Sequence, residues 1–309
     1  MPICEADAWR LQYFENVDCP ADIRIPTEDS DAWAWNPAHR WVYDKLSVAL
    51  TQNISAAPHG VPPGRFPVFS KPLCNLRGMA VGSRALMTRA EYDEALTPGH
   101  MWMELLRGDH ISSDAALIDG APVWWRHAHG HSAGGGTFDY WAVQARRLAR
   151  IENDCGTWVR RHLRGYTGMV NFETIGAKII EVHLRFSDQW PDLYGPGWME
   201  ALVALYSTGR WPLSGEARRT GYSVALFGPH GTRYLHPPRR LVAQLLENQA
   251  LSSIQITFDD QLEPDRHAMP PGGFRLALVN CWDLSAGMRA RECLRQYFLG
   301  ARIARLAAG

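Results

Sequence analysis

Residues 168–185 read GMVNFETIGAKIIEVHLR, two short alternations of apolar and polar residues joined across Gly176. Successive side chains of a strand point to opposite faces, so Asn171 and Glu173 share a face on the first arm, and Glu181, His183 and Arg185 share one on the second. Val170, Phe172, Ile180 and Val182 then line the other face. Paired as a hairpin, the two arms bring two carboxylates, an amide, an imidazole and a guanidinium onto one patch. Such a patch suits a hard divalent cation and the phosphates it neutralises, because Mg²⁺ takes one or two protein carboxylates and completes its octahedron with water and phosphate oxygens. An ordinary half-solvated hairpin shows the same alternation, so the surrounding sequence has to decide.

The chain has 309 residues, enough for a substantial core in one large domain or several small ones. Lys plus Arg equals Asp plus Glu, at 32 each, so no global field points to nucleic acid or to an anionic membrane. No apolar run approaches the roughly 18 residues that span a bilayer, and the start MPICEADAWR lacks a basic segment followed by an apolar one. A cytoplasmic protein without nucleic-acid or membrane partners is the expectation. The six cysteines (Cys4, Cys19, Cys74, Cys155, Cys281 and Cys293) form no C-x-x-C pair, which argues against a zinc knuckle or disulfide framework and for reduced, mostly buried thiols. Thirteen tryptophans, clustered at Trp33, Trp35 and Trp41 and at Trp124 and Trp125, read first as bulky core packing and second as a stacking platform.

Outward from the hairpin, strand and helix patterns alternate along the chain. The opening to Pro37 is polar and punctuated by Pro20, Pro26 and Asp29 to Asp31. HRWVYDKLSVAL, residues 39–50, is helix-like with Lys45 on its flank, and residues 66–70 form a strand that ends at Lys71-Pro72. The small-residue loop NLRGMAVGSR, 75–84, precedes TRAEYDEAL, 88–96, a short helix with a Thr cap. Three strands follow, broken at Gly108 and turned at Asp119-Gly120, and residues 140–163 have an amphipathic helical pattern. After the hairpin come a helix at 197–211, strands at 222–228, 253–258 and 274–282, and helices near 239–249 and 285–306. The chain is α+β (α/β), with several lobes.

A helix-borne lysine, a strand ending in KP, a glycine loop, a strand carrying MELLRG and a hairpin ending EVHLR occur in this order between residues 40 and 200. The order resembles the ATP-grasp superfamily, whose members hold ATP between two α+β lobes and activate a carboxylate as an acyl phosphate. The resemblance implies an ATP-grasp fold with a shortened N-terminal segment (1–40), lobe 1 (41–100), lobe 2 (101–200) and a C-terminal β-rich α+β domain (201–309). RLALVNCWDLSAGMRARECLR in the last part is similar to the closing strand and helix of biotin-carboxylase-like members.

Residue by residue, Lys45 and Lys71 match the two lysines that reach the phosphates, and Gly78 and Gly82 match the mobile loop that covers them. Met103 to Leu106 stands where the family's hinge strand meets adenine, which implies nucleotide contacts at Met103, Glu104 and Leu106. His110 stands at the ribose position, and Met103 and His110 replace the carboxylates common there, with Glu104 and Asp109 one residue away. IIEVHLR is similar to the family's E-[IV]-N-P-R, so Glu181 matches the bridging metal ligand, His183 stands at the usual asparagine, and Arg185 matches the phosphate-side arginine. GMVNFE resembles the carbamoyl-phosphate-synthase version, making Glu173 the partner ligand; a competing register puts Asn171 there.

The resemblance therefore implies ATP with Mg²⁺ or Mn²⁺, metal held by Glu173, Glu181 and His183, and catalytic roles for Lys71 and Arg185. Imidazole at position 183 favours Mn²⁺ or Zn²⁺ over Mg²⁺. The implied reaction joins a small carboxylate to an amine, with ADP and phosphate released. A regulatory nucleotide-binding module and an ATP-grasp-type kinase are the alternatives. Only 44 residues precede Lys45, so the acceptor site falls to the C-terminal domain, or to a homo-oligomer or partner subunit. His127, His129 and His131 alternate and share a strand face, where they could meet substrate, phosphate, a metal or solvent. Asp139 and Tyr140 form a second substrate-side candidate, while His230 and Asp259-Asp260 read as turns.

Overall fold

Two helix caps show how the local sequence sets the first lobe. The Asp44 carboxylate accepts the backbone N–H groups of Leu46 and Ser47, and the Thr88 hydroxyl accepts that of Glu91, each satisfying donors that a helix start leaves open. The structure, a computed structural model, describes residues 3–5, 7–213 and 218–306.

Strands β1 (Ile3–Cys4) and β2 (Ile25–Pro26) pair in parallel, and α1 (Asp29–Trp35) follows. Asp29 to Asp31, expected to punctuate a turn, instead form the acidic first turn of α1. The helix expected over 39–50 divides into a 3-10 turn (Arg40–Tyr43) and α2 (Lys45–Leu50), because the extended backbone at Asp44 that makes it a cap also interrupts the helix before it. Strands β3 (Ala56–Pro58), β4 (Val68–Pro72), β5 (Arg84–Leu86) and β6 (His100–Glu104) form an antiparallel sheet in the order β3-β6-β4-β5, with α3 (Arg89–Glu94) beside it.

The second sheet has eight strands: β7 (His110–Ile118), β8 (Ala121–Gly134), β9 (Thr137–Val143), β10 (Gly168–Ile175), β11 (Lys178–His183), β12 (Gly221–Gly228), β13 (Leu251–Ile256) and β14 (Phe274–Cys281). Their order is β11-β10-β7-β8-β9-β12-β14-β13, all antiparallel. The helices are α4 (Ala149–His162), α5 (Trp198–Thr208), α6 (Arg239–Leu246) and α7 (Leu284–Leu306). The helical pattern expected over 140–163 holds only from Ala149. Tyr140 to Val143 lie in β9, where β-forming aromatic and branched residues find ladders on both sides, at β8 and β12.

The boundary drawn between residues 200 and 201 falls inside α5, and through the β9–β12 pairing the strands of the last hundred residues continue the same sheet. Val170, Phe172, Val182 and Leu184 pack against Ile151, Cys155, Trp158 and Val159 of α4. Each such side chain contributes about 1.5–3 kcal/mol by leaving water. Trp124 and Trp125 are buried, as core packing requires; Cys155 and Cys281 are buried too, whereas Cys74 and Cys293 are exposed and the Cys4 side chain lies outside the description. No helix among the described residues is long and apolar enough to cross a membrane.

Candidate active site

The hairpin register places Glu173 opposite Glu181 and Asn171 opposite His183. A bulge between Glu173 and Thr174 then sets Thr174 against Ile179, so Ile180 is the extra residue. The sequence puts Ile180 on the core face with Val182. In the fold Ile179 takes that place beside Val182 and Leu184, while Ile180 lines a cleft of about 550 Å³ between the two sheets. The bulge also gives the cleft a backbone acceptor: the Ile180 carbonyl receives a hydrogen bond from Lys71 Nζ at 2.7 Å.

Both expected lysines reach the hairpin from the first lobe. Lys45, the first residue of α2, has Nζ 2.8 Å from Glu181 Oε1, and Lys71, on β4, has Nζ 3.9 Å from the same oxygen. Burial brings the Lys71 ammonium down to about 8, against the opposing pull of Glu181. Burial pushes the Glu181 carboxyl up, but Lys45 and then Lys71 outweigh it and hold it below its ordinary range. Glu173 is brought down to about 2 by its His110 hydrogen bond (3.1 Å) and by neighbouring cations, again against burial. Two ionised carboxylates thus face one another with ammonium groups beside them.

Arg185 and His183 meet a residue the sequence reading passed over. Asp29, at the start of α1, lies 3.0 Å from His183 Nδ1 through each oxygen and accepts Arg185 Nη2 at 2.8 Å. The Tyr43 hydroxyl donates to Asp29 at 3.1 Å and accepts the Leu184 N–H. Burial disfavours an imidazolium at 183, yet Asp29 outweighs burial and raises the ring above its ordinary value. His183 Nε2 is 3.7 Å from Glu181 Oε2.

Glu173 and Glu181 fit a hard cation by charge and register. His183 fits less simply: Asp29 is bonded at its Nδ1 and raises the ring's affinity for a second proton, which would compete with a cation for Nε2. Among the described residues, no group of three or more His, Cys, Asp or Glu is gathered so as to hold a metal ion. Asn171, the alternative ligand, donates instead to Ser112 Oγ (2.8 Å) and Asp114 Oδ1 (2.7 Å), bracing β10 against β7.

Met103, Glu104, Leu106, His110 and Gly78 line the cleft. Gly82 does not; a Cβ there would sit 3.2 Å from His100, away from the cleft. The His array lies on the other face of the sheet. His127 is buried between Ser113 Oγ (2.8 Å) and Glu152 of α4 (3.2 Å), His129 is 3.7 Å from Asp109, and His131 stacks on Tyr140. Asp139 pairs with Arg291. None of these five lines the cleft. Alternation placed the three histidines on one face correctly, but sequence alone could not say which face.

The far end of the cleft is lined from both ends of the chain. Arg10 pairs with Glu28 and Asp188, and Gln255 and Arg275 project from the β13–β14 edge. None of these was singled out in the sequence, since isolated charges in unremarkable loops and strands carry no spacing signal.

A first lobe that bears one lysine on its four-stranded sheet and another on α2, clasped over a larger antiparallel sheet bearing paired carboxylates, is the ATP-grasp architecture. The chain has the ATP-grasp fold that its motif order resembles. No family model and no curated protein matches the sequence. Solved structures match the fold. The L-amino acid ligase from Bacillus licheniformis aligns with TM-score 0.57 at 12% identity, over 93% of this chain and 75% of that one. The N5-carboxyaminoimidazole synthase from Aspergillus clavatus, in complex with ADP and 5-aminoimidazole ribonucleotide, aligns with TM-score 0.58 at 11% identity, over 89% and 81%. The phosphoribosylamine–glycine ligase from Thermotoga maritima gives 0.58 at 13%, over 92% and 84%.

Proposed function

We propose that this protein is an ATP-dependent ligase that joins a small carboxylate to an amine. The observation that carries the reading is the convergence of Lys45 and Lys71 on Glu181, directly opposite Glu173, at one end of a cleft whose wall is the end of β6. Three proteins of the same fold bear the names of ligases or synthases, and one of them was solved with ADP.

In the reaction a carboxylate oxygen of the substrate attacks the γ-phosphorus of ATP, and the bond from that phosphorus to the β–γ bridging oxygen breaks to release ADP. The amine nitrogen then attacks the acyl carbon, the bond to phosphate breaks, and the nitrogen gives up a proton. Lys71 and Arg185 are the cations suited to hold the moving phosphoryl group, and Lys45 holds Glu181 in place until nucleotide enters. A divalent cation bound at Glu173 and Glu181, Mg²⁺ or Mn²⁺, would supply charge neutralisation between the phosphates.

The test is calorimetry of ATP binding with Mg²⁺ or Mn²⁺ in the wild type and in Glu181→Ala. Metal-dependent binding that drops by about tenfold or more supports the site; undiminished binding sinks it. Turnover with paired panels of acids and amines, followed by ³¹P NMR, separates the reactions: a ligase yields free phosphate, a kinase yields a stable phosphorylated product, and a binding module yields neither.

A further inference from the structure

Beyond the carboxylates, the cleft runs onto the inner face of β9, β12, β14 and β13. Cross-strand register sets Ala225 beside Leu278 and Phe227 beside Arg275, while Trp141 and Phe138 of β9 line the same space. Side chains opposite one another on a sheet stand about 5 Å apart, so these form a continuous apolar floor with one guanidinium at its rim.

Among the described residues that guanidinium makes no hydrogen bond, although Asp188 lies in its electrostatic surroundings. Arg275 Nε is buried without a hydrogen bond, and no side-chain nitrogen of Arg275 pairs with an acceptor among the described residues. The carboxylates in its electrostatic surroundings are Asp188, Asp7 and Glu28, with Arg10 opposing. Arg10 already holds Asp188 and Glu28, and Asp7 accepts backbone N–H groups at its own turn. Arg275 is half-buried, and its Nε is the nitrogen buried without a hydrogen bond. Such a nitrogen is costly to keep, and at the rim of a cavity the guanidinium is available to something that enters it.

We propose that Arg275 receives the carboxylate of an organic-acid substrate whose apolar side group lies on the floor formed by Phe138, Ala225, Phe227 and Leu278. The planar guanidinium edge matches a carboxylate through two parallel hydrogen bonds. The polar side chains bordering the floor are already engaged: the Gln255 amide donates to the Tyr13 hydroxyl and the Gln189 carbonyl, and the Thr257 hydroxyl donates to the Arg275 carbonyl. This rests on the ligase reading and narrows its substrate to an aliphatic or aromatic acid.

The experiment is calorimetry on the full chain with 4-methylpentanoate, 3-phenylpropanoate and the amide of each, with ATP binding measured alongside. At least one acid binds, its amide binds about tenfold or more weakly, and Arg275→Gln erases that difference while leaving ATP binding within about twofold. Ala225→Leu, which fills the floor, weakens acid and amide together. Equal binding of acid and amide to the wild type overturns the proposal, as does the absence of binding by both acids or acid binding unchanged in Arg275→Gln. Arg275-dependent acid binding without any ATP turnover supports this site and overturns the ligase reading instead.

Discussion

Asp29 offers both of its carboxylate oxygens to His183 Nδ1, each at 3.0 Å, across 154 positions of sequence. The same carboxylate is the counter-ion of Arg185. Asp29→Ala leaves a buried guanidinium and imidazole without their anion, a loss that typically costs about 3–5 kcal/mol. Urea unfolding should show the midpoint falling at unchanged slope; an unshifted midpoint would mean that the pair carries no stability.

Acid should weaken the outer face of the sheet first at Glu152 and His127. Burial opposes charge on Glu152, but His127 and Arg147 outweigh it and bring the carboxyl down to about 2. A depressed carboxyl contributes stability above its ordinary value of 4.5 and loses it as pH falls towards 2. Burial also depresses the His127 ring, so protonation below its ordinary 6.5 destabilises the fold in the same direction. Stability measured from pH 6.5 to 3 should therefore fall, and Glu152→Gln should flatten the part below pH 4.5. An identical slope in the variant would remove Glu152 from the account.

Phe172 is fully buried between Trp125 and Trp158 on the core face of the hairpin. Phe172→Ala should cost about 3–5 kcal/mol in equilibrium unfolding. A cost under about 1 kcal/mol would mean that the space under α4 collapses around the smaller side chain.

Gly176 adopts φ +57°, and a Cβ there would run into the Arg107 carbonyl oxygen. Gly176→Ala should destabilise by about 1 kcal/mol or more. Gly108, whose added Cβ would lie 2.7 Å from the Gly176 Cα, should respond to Ala non-additively with it. Additive costs would show that the two turns do not share one contact.

The carboxylate pair was legible in the sequence because a period of two is unambiguous as long as the ladder is regular. It failed at Ile180, where one inserted residue reverses the faces without leaving a mark in composition. Residues 140–143 failed for a related reason: a short aromatic and branched run suits a helix end or a strand, and only the neighbouring β8 and β12 settle it. Lys45 and Lys71 were placed by motif order and do reach Glu181. Asp29 and Arg275 could not be found that way, since each acquires its surroundings only when segments distant in the sequence fold beside it.

The ladder from β11 to β13 is one continuous eight-stranded sheet. Glu181 and Arg275 ride on that sheet, whereas Lys71 and the loop at 75–83 ride on the smaller sheet. Any rocking of one sheet against the other therefore changes the gap over the phosphate end and leaves the carboxylate-to-guanidinium span untouched. The distance from the phosphate end to the acid's guanidinium is therefore set by strand spacing within one sheet rather than by how far the jaws close.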